Sequence, residues 1–157
     1  MAEYKATIIW ERGIQLFTDN RYSRAHKWKF DESVEIQASS SPYIVPLPYS
    51  DAVAIDPEEA FVASLSSCHM LWFLSIAAKN NFCVDRYSDE ASGVMGKDEL
   101  GRLFITHVTL RPKALFSGTL PTKNDVILMH NKAHKECFIA NSVKTHVECQ
   151  PICGDLK

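Results

Sequence analysis

Between Ala60 and Ala78 the chain carries no Asp, Glu, Lys or Arg, and this uncharged run constrains everything around it. It lies within DPEEAFVASLSSCHMLWFLSIAAK, residues 56–79. Asp56 is a ready N-cap, Pro57 suits the first helical position, and Glu58 and Glu59 suit the positive end of a helix dipole. The run predicts a helix over 57–79, roughly 35 Å long at ~1.5 Å per residue. Being apolar on nearly every face, it must be buried or span a membrane. Its length allows a span. The serines, the cysteine and the histidine within it favour a buried core helix, and no second segment is apolar enough to join it in lipid. A chain of 157 residues is hard pressed to wrap such a helix alone, so a second copy is expected to supply part of the cover.

One domain over residues 1–157 is expected. A net charge of -2 gives no electrostatic footprint for nucleic acid or anionic lipid. The opening MAEYKATIIWERG has no basic segment followed by an apolar run, so no signal peptide is expected and a cytoplasmic protein is the default. In that compartment the 5 cysteines, at 68, 83, 137, 149 and 153, should be mostly reduced, and any disulfide is catalytic rather than structural.

Residues 2–12 alternate as a strand, with Ala6, Ile8 and Trp10 on one face. In RYSRAHKWKFD, His26, Trp28 and Phe30 alternate with Lys27, Lys29 and Asp31, which predicts a half-buried strand with a basic outer face. Val34, Ile36 and Ala38 continue the sheet. Residues 39–55 hold Pro42, Pro46 and Pro48 beside Tyr43, Ile44 and Leu47, which predicts a packed loop, either core cover or a pocket wall. After the long helix, NFCVDRYSDEASGVM and RLFITHVTLRP read as two strands joined at Gly96–Gly101, with Cys83 an inert core thiol. Pro121 and Thr122 open a second helix, with Asp125 placed for a capping box. Val126, His130, Ala133 and Cys137 share one of its faces. That helix is expected to stop near Asn141, and Val143, Thr145 and Val147 form a last strand. The fold class is therefore α+β, two helices packed on an antiparallel sheet.

Several chemistries compete for these residues. HKEC at 134–137 and HVEC at 146–149 pair His with Cys as zinc ligands do, but on a strand His146 and Cys149 point to opposite sides. No metal is therefore expected. A Cys–His hydrolase would use Cys68 with His69, His130 or His134; His69 points ~100° away from Cys68 around the helix. A third reading is a non-enzymatic dimeric module that binds an apolar ligand, with Cys68 as lining. The fourth is oxidative chemistry at Cys68. That requires the thiolate, which burial alone disfavours, and Cys68 lies beyond the useful reach of the helix dipole. A cation must come from elsewhere, and RYSRAHK is the source. Arg24 is preferred to Arg21 because it is closer to the buried alternation. Glu58 or Glu59 can orient it.

DPEEAFVASLSSCHMLWFL resembles the central helix of the OsmC/Ohr family of thiol-dependent peroxidases, and AHKECFIANSVKT resembles that family's second-cysteine segment. The order of elements is similar across essentially the whole chain. Phe138-Ile139-Ala140 follows the second cysteine where the Ohr branch has Pro-Tyr-Ser, and SSCHML and RYSRAH look closer to an OsmC-like branch. The resemblance implies an intertwined homodimer and cofactor-free reduction of organic hydroperoxides by a cysteine pair. Carried over by position, Cys68 is peroxidatic, Cys137 resolving, and Glu58 the carboxylate of the family's Pro-Glu pair. An arginine from the N-terminal region completes the site.

In that reading Cys68 becomes a sulfenic acid, Cys137 condenses with it to a disulfide, and an external dithiol, for which a lipoylated protein is one candidate, reduces the product. Phe61, Leu65, Trp72, Tyr43 and Ile44 are expected to line a pocket favouring alkyl or lipid hydroperoxides. Glu58 and Cys68 stand ~15 Å apart along one helix. A site using both must therefore be shared between two chains.

Overall fold

The structure, a computed structural model, describes residues 2–31 and 33–154. The chain forms two compact units, Met1–Ala60 and Phe61–Lys157. In the first, strands β1 (Thr7–Ile9), β2 (His26–Phe30) and β3 (Val34–Ala38) form an antiparallel sheet in that order. β2 shows the expected alternation: His26, Trp28 and Phe30 are half-buried while Lys27 and Lys29 face solvent and pair with Glu35 of β3. β1 is shorter than the alternation over 2–12 suggests, and Trp10 lies beyond it, donating its indole N–H to the Ser23 carbonyl at 2.8 Å.

Residues 39–55 are turns, as the prolines require, but not a packed apolar wall: Tyr43 is 99% exposed, and Ile44 and Leu47 are exposed too. What is buried there is polar. Ser39 and Ser41 are covered, and the Ser39 hydroxyl accepts the Asp51 N–H at 3.0 Å.

Helix α1 (Pro57–Lys79) begins where the sequence places it. Asp56 Oδ1 accepts the Glu59 N–H at 2.7 Å, and Glu59 Oε2 accepts the Asp56 N–H at 3.3 Å, a reciprocal cap that satisfies two orphan donors. At the other end Asn81 takes the left-handed conformation (φ 59°), and the Phe82 N–H reaches back to the Ala77 carbonyl at 3.0 Å.

Within one chain α1 is not buried all round. Leu65, His69, Phe73, Ile76 and Ala77 form the covered stripe. Ala63, Ser67, Leu71, Ser75 and Ala78 form an exposed one, with Leu71 62% exposed. The serines sit in this apolar helix because they bond locally: Ser64 donates to the Phe61 carbonyl and Ser67 to the Ser64 carbonyl.

The stretch read as one strand after α1 is two, β4 (Cys83–Asp89) and β5 (Ser92–Lys97), in different sheets. β4 pairs with β7 (Pro112–Ser117), a strand the sequence reading did not separate from what precedes it. β5 pairs antiparallel with β6 (Leu103–Leu110), and β6 pairs in parallel with β8 (His146–Cys149), the one departure from antiparallel order among the described strands. Gly93 lets β5 approach α1: a Cβ there would stand 2.8 Å from Val62 Cγ2. Cys83, expected in the core, is exposed, because period 2 puts it on the opposite face from half-buried Phe82 and Val84.

Helix α2 (Lys123–Glu136) carries the expected capping box at Thr122 and Asp125. It ends earlier than Asn141, with Cys137 as C-cap, and a short 3₁₀ turn, Ala140–Ser142, follows. Its face Val126, Met129, Ala133 packs with Phe73, Ile76 and Ala77 of α1, and Leu65 packs with Val108 and Leu110 of β6.

Candidate active site

Cys68 lies near the middle of α1, half-buried, at the edge of the exposed stripe. It opens on a cleft of about 300 Å³ shared with Leu71, Trp72, Ser75 and Phe138. Trp72 and Phe138 meet edge to face, ring centroids 5.4 Å apart, so the wall is aromatic on two sides. The uncharged composition of α1 gives this cleft its apolar lining.

Cys137 is brought to Cys68 by α2. The buried face of that helix ends in Cys137, which is 1% exposed. The two thiols are free and neighbouring. Burial, reinforced by the adjacent Cys68, pushes the Cys137 thiol up to about 11, and the Ala140 N–H pointing at its sulfur (3.5 Å) only partly offsets this. At neutral pH Cys137 is a protonated thiol.

Arg24 and Glu58 belong to the first unit and line a cleft of about 500 Å³ with Ile8, Trp10 and Tyr22. The Arg24 guanidinium lies over the Tyr22 ring, 3.9 Å from its centroid. It donates to the Asn20 carbonyl (3.0 Å), to Asn20 Oδ1 (2.7 Å) and to the Tyr22 carbonyl. Its orientation therefore comes from its own loop, and among the described residues no ion pair joins it to Glu58 or Glu59. Arg21 is exposed, its backbone N–H on Asp19.

The expected pocket residues fall in different places. Trp72 shares the Cys68 cleft; Phe61 lines another, of about 310 Å³, with Phe104 and Val143. Leu65 is 0% exposed within the core, and Tyr43 and Ile44 project from the turn region.

The sequence reading missed one cluster. His69 Nε2 is 2.9 Å from His130 Nδ1 and 3.6 Å from Cys149 Sγ. Both imidazoles are buried and their pKa values are lowered, chiefly by desolvation, to about 4 for His69 and about 3 for His130. Burial likewise pushes the Cys149 thiol up to about 12. His130 is engaged with His69 and stacked on Phe73, and among the described residues no histidine bonds the Cys68 thiol. Cys149 and Cys153 are both half-buried. Only the direction of His130 on its helix was readable beforehand; partners 61 and 80 residues apart in sequence are a tertiary fact.

The fold and the paired thiols define an α+β protein built on a long cysteine-bearing helix. The family model described as OsmC-like protein matches residues 50–151, and the chain belongs to that family. It is similar to an OsmC-like protein of unknown function from Vibrio cholerae, at 52% identity and TM-score 0.95, covering 97% of this chain and 100% of that one. It shares its fold with the organic hydroperoxide resistance protein OhrB of Bacillus subtilis, at 20% identity and TM-score 0.65, over 96% and 98% of the two chains. The same holds for an organic hydroperoxide resistance protein from Elizabethkingia anophelis, at 18% identity and TM-score 0.69, over 96% and 94%. No curated protein matches the chain.

Proposed function

We propose that the protein is a thiol peroxidase that reduces organic hydroperoxides to alcohols, in the manner suggested by the hydroperoxide resistance proteins that share its fold. The observation that carries this reading is the neighbouring pair of free thiols, Cys68 opening on an apolar cleft and Cys137 buried behind it. The Cys68 thiolate attacks the outer peroxide oxygen; the O–O bond breaks, sulfur takes the oxygen as sulfenic acid, and the alkoxide leaves as alcohol after protonation. Cys137, a thiol until then, gives up its proton and displaces the sulfenic oxygen as water, forming the Cys68–Cys137 disulfide. An external dithiol reduces that disulfide by exchange and is itself oxidised.

Arg24, held by Asn20 and Tyr22, is assigned the cation that favours the thiolate and polarises the peroxide, and Glu58, which lines the same cleft without pairing to it, the accompanying carboxylate. The exposed stripe of α1, Ala63, Ser67, Leu71, Ser75 and Ala78, is assigned to a second copy of the chain, in keeping with a long uncharged helix that one chain covers on only part of its surface. The small side chains along it permit close helix approach. A reducing compartment such as the cytoplasm suits the cycle.

The test is stopped-flow oxidation by cumene hydroperoxide, followed by mass spectrometry after one equivalent. A Cys68–Cys137 disulfide with release of cumyl alcohol is the expected product. Unchanged peroxide consumption by Cys68→Ser would overturn the reading.

A further inference from the structure

We infer that His69, His130 and Cys149 form a binding site for a divalent transition-metal ion, zinc by preference. The three residues come from α1, α2 and β8, and their donor atoms all lie within 4.8 Å of one another. Two of the ligands are fully buried imidazoles, held neutral by burial, so each offers a nitrogen lone pair at neutral pH. The third is a thiol, and imidazole with thiolate is a donor set that selects zinc and its neighbours over magnesium or calcium.

Hydrogen bonding alone leaves this cluster short of partners. An imidazole nitrogen has one in-plane direction, filled by either one proton or one lone pair. His69 Nε2 nevertheless faces both His130 Nδ1 at 2.9 Å and Cys149 Sγ at 3.6 Å. Among the described residues its other nitrogen, Nδ1, is buried with no partner, and so is Nδ1 of His134, one turn further along α2. Leaving a buried polar atom unpaired is costly, and one within such a cluster points to a role beyond packing.

Tetrahedral zinc, with Zn–N of about 2.0–2.1 Å and Zn–S of about 2.3 Å, sets N···S near ~3.5 Å and N···N near ~3.3 Å. The Cys149–His69 separation already meets the first figure, and the His130 and Cys149 donors, which lie within 4.8 Å of each other, close toward it as the ion binds. The histidine pair must open by a few tenths of an ångström and turn its shared axis toward the ion.

The proton balance closes. The proton now shared between Nε2 and Nδ1 moves to the far nitrogen of its own ring, and the Cys149 thiol releases one proton to solvent as its sulfur binds the metal. The Asp89 carboxylate, whose negative charge bears on both His69 and Cys149, offsets part of the added positive charge. It is itself held by the Ser66 hydroxyl and the Arg111 N–H, each at 2.6 Å. Three protein ligands leave a fourth position for water.

The experiment uses the full chain, treated with a chelator, dialysed, and titrated with Co²⁺. Binding of about one ion per chain is expected, with thiolate-to-cobalt charge-transfer absorption, the visible bands of tetrahedral cobalt, and displacement by Zn²⁺. Cys149→Ser, at a half-buried position, and His130→Gln should abolish the charge-transfer band, whereas Cys68→Ser and Cys137→Ser should retain it. X-ray absorption of the zinc-loaded wild type needs no variant to fold, and should show one sulfur and two imidazoles. Absence of cobalt binding at several-fold excess, bands that survive in Cys149→Ser, or a shell with two sulfurs would each overturn the site.

Discussion

The Cys137 sulfur is buried at the C-terminal cap of α2, beside the half-buried Cys68 of α1, so one thiol of the pair meets solvent and the other is covered. Order of reaction follows from this order of access. In Cys137→Ser, Cys68 should be oxidised once by peroxide and then, with no partner thiol, proceed to sulfinic acid. Mass spectrometry should find one turnover followed by a gain of two oxygens at Cys68. Sustained cycling at the wild-type rate with a dithiol would remove Cys137 from the mechanism.

The raised pKa of Cys137 makes a prediction about alkaline stability. Its folded value is about 11 against an ordinary 9.0, so below pH 9 the folded and unfolded states are both protonated and the contribution is fully present. Above pH 9 the unfolded chain ionises first, and that contribution is lost as pH rises toward 11. The slope from this group is at most ~1.4 kcal/mol per pH unit. Denaturant midpoints of wild type should fall more steeply over that window than those of Cys137→Ala, and parallel curves would contradict the assignment.

Gly93→Ala should destabilise the protein by about 1–3 kcal/mol, as overpacking does, because its new methyl meets Val62 Cγ2 at 2.8 Å on a β-branched side chain with little freedom to yield. Combining it with Val62→Ala should cost less than the sum of the single changes. Urea unfolding of the four proteins measures the coupling, and strict additivity would show that the contact is not the cause.

Thr122→Ala removes both the acceptor for the Asp125 N–H (3.1 Å) and the donor to its carboxylate (2.7 Å). The expected loss is about 1 kcal/mol, read as a lower melting temperature. A change within error would mean that the end of α2 is held by packing alone.

Mixing Cys68→Ser chains with Glu58→Ala chains, each expected to be inactive, tests whether a site draws on two copies. After subunit exchange one intact site per heterodimer should restore roughly half of wild-type activity. Proven exchange without recovery would confine Glu58 to its own chain's site.

These residues also mark how far the sequence could be read. Both helix starts were legible because caps are local: Asp56 with Glu59, and Thr122 with Asp125, act across one turn. β2 was legible because Lys27 and Lys29 alternate with aromatic residues. The division between β4 and β5 was not, since Glu90 and Ala91 carry no glycine or proline to mark the break. β7 was missed because Pro112, which usually ends a strand, here begins one. The thiol pair was legible only through family resemblance, because two helices distant in sequence bring it together. Of the His69–His130–Cys149 cluster, only the direction of His130 on its helix was local, and its partners come from distant segments.

Cys83 changes how thiol chemistry on this protein should be counted. It stands on the open face of β4, its sulfur 3.8 Å from the Asp85 carboxylate, while every other cysteine is at least half covered. A disulfide reagent added to native protein will therefore meet it early, and at high concentration air oxidation will join chains through it. Such cross-links would run on gels as dimers unrelated to any helix contact. Redox stoichiometry is best measured in a Cys83→Ser background.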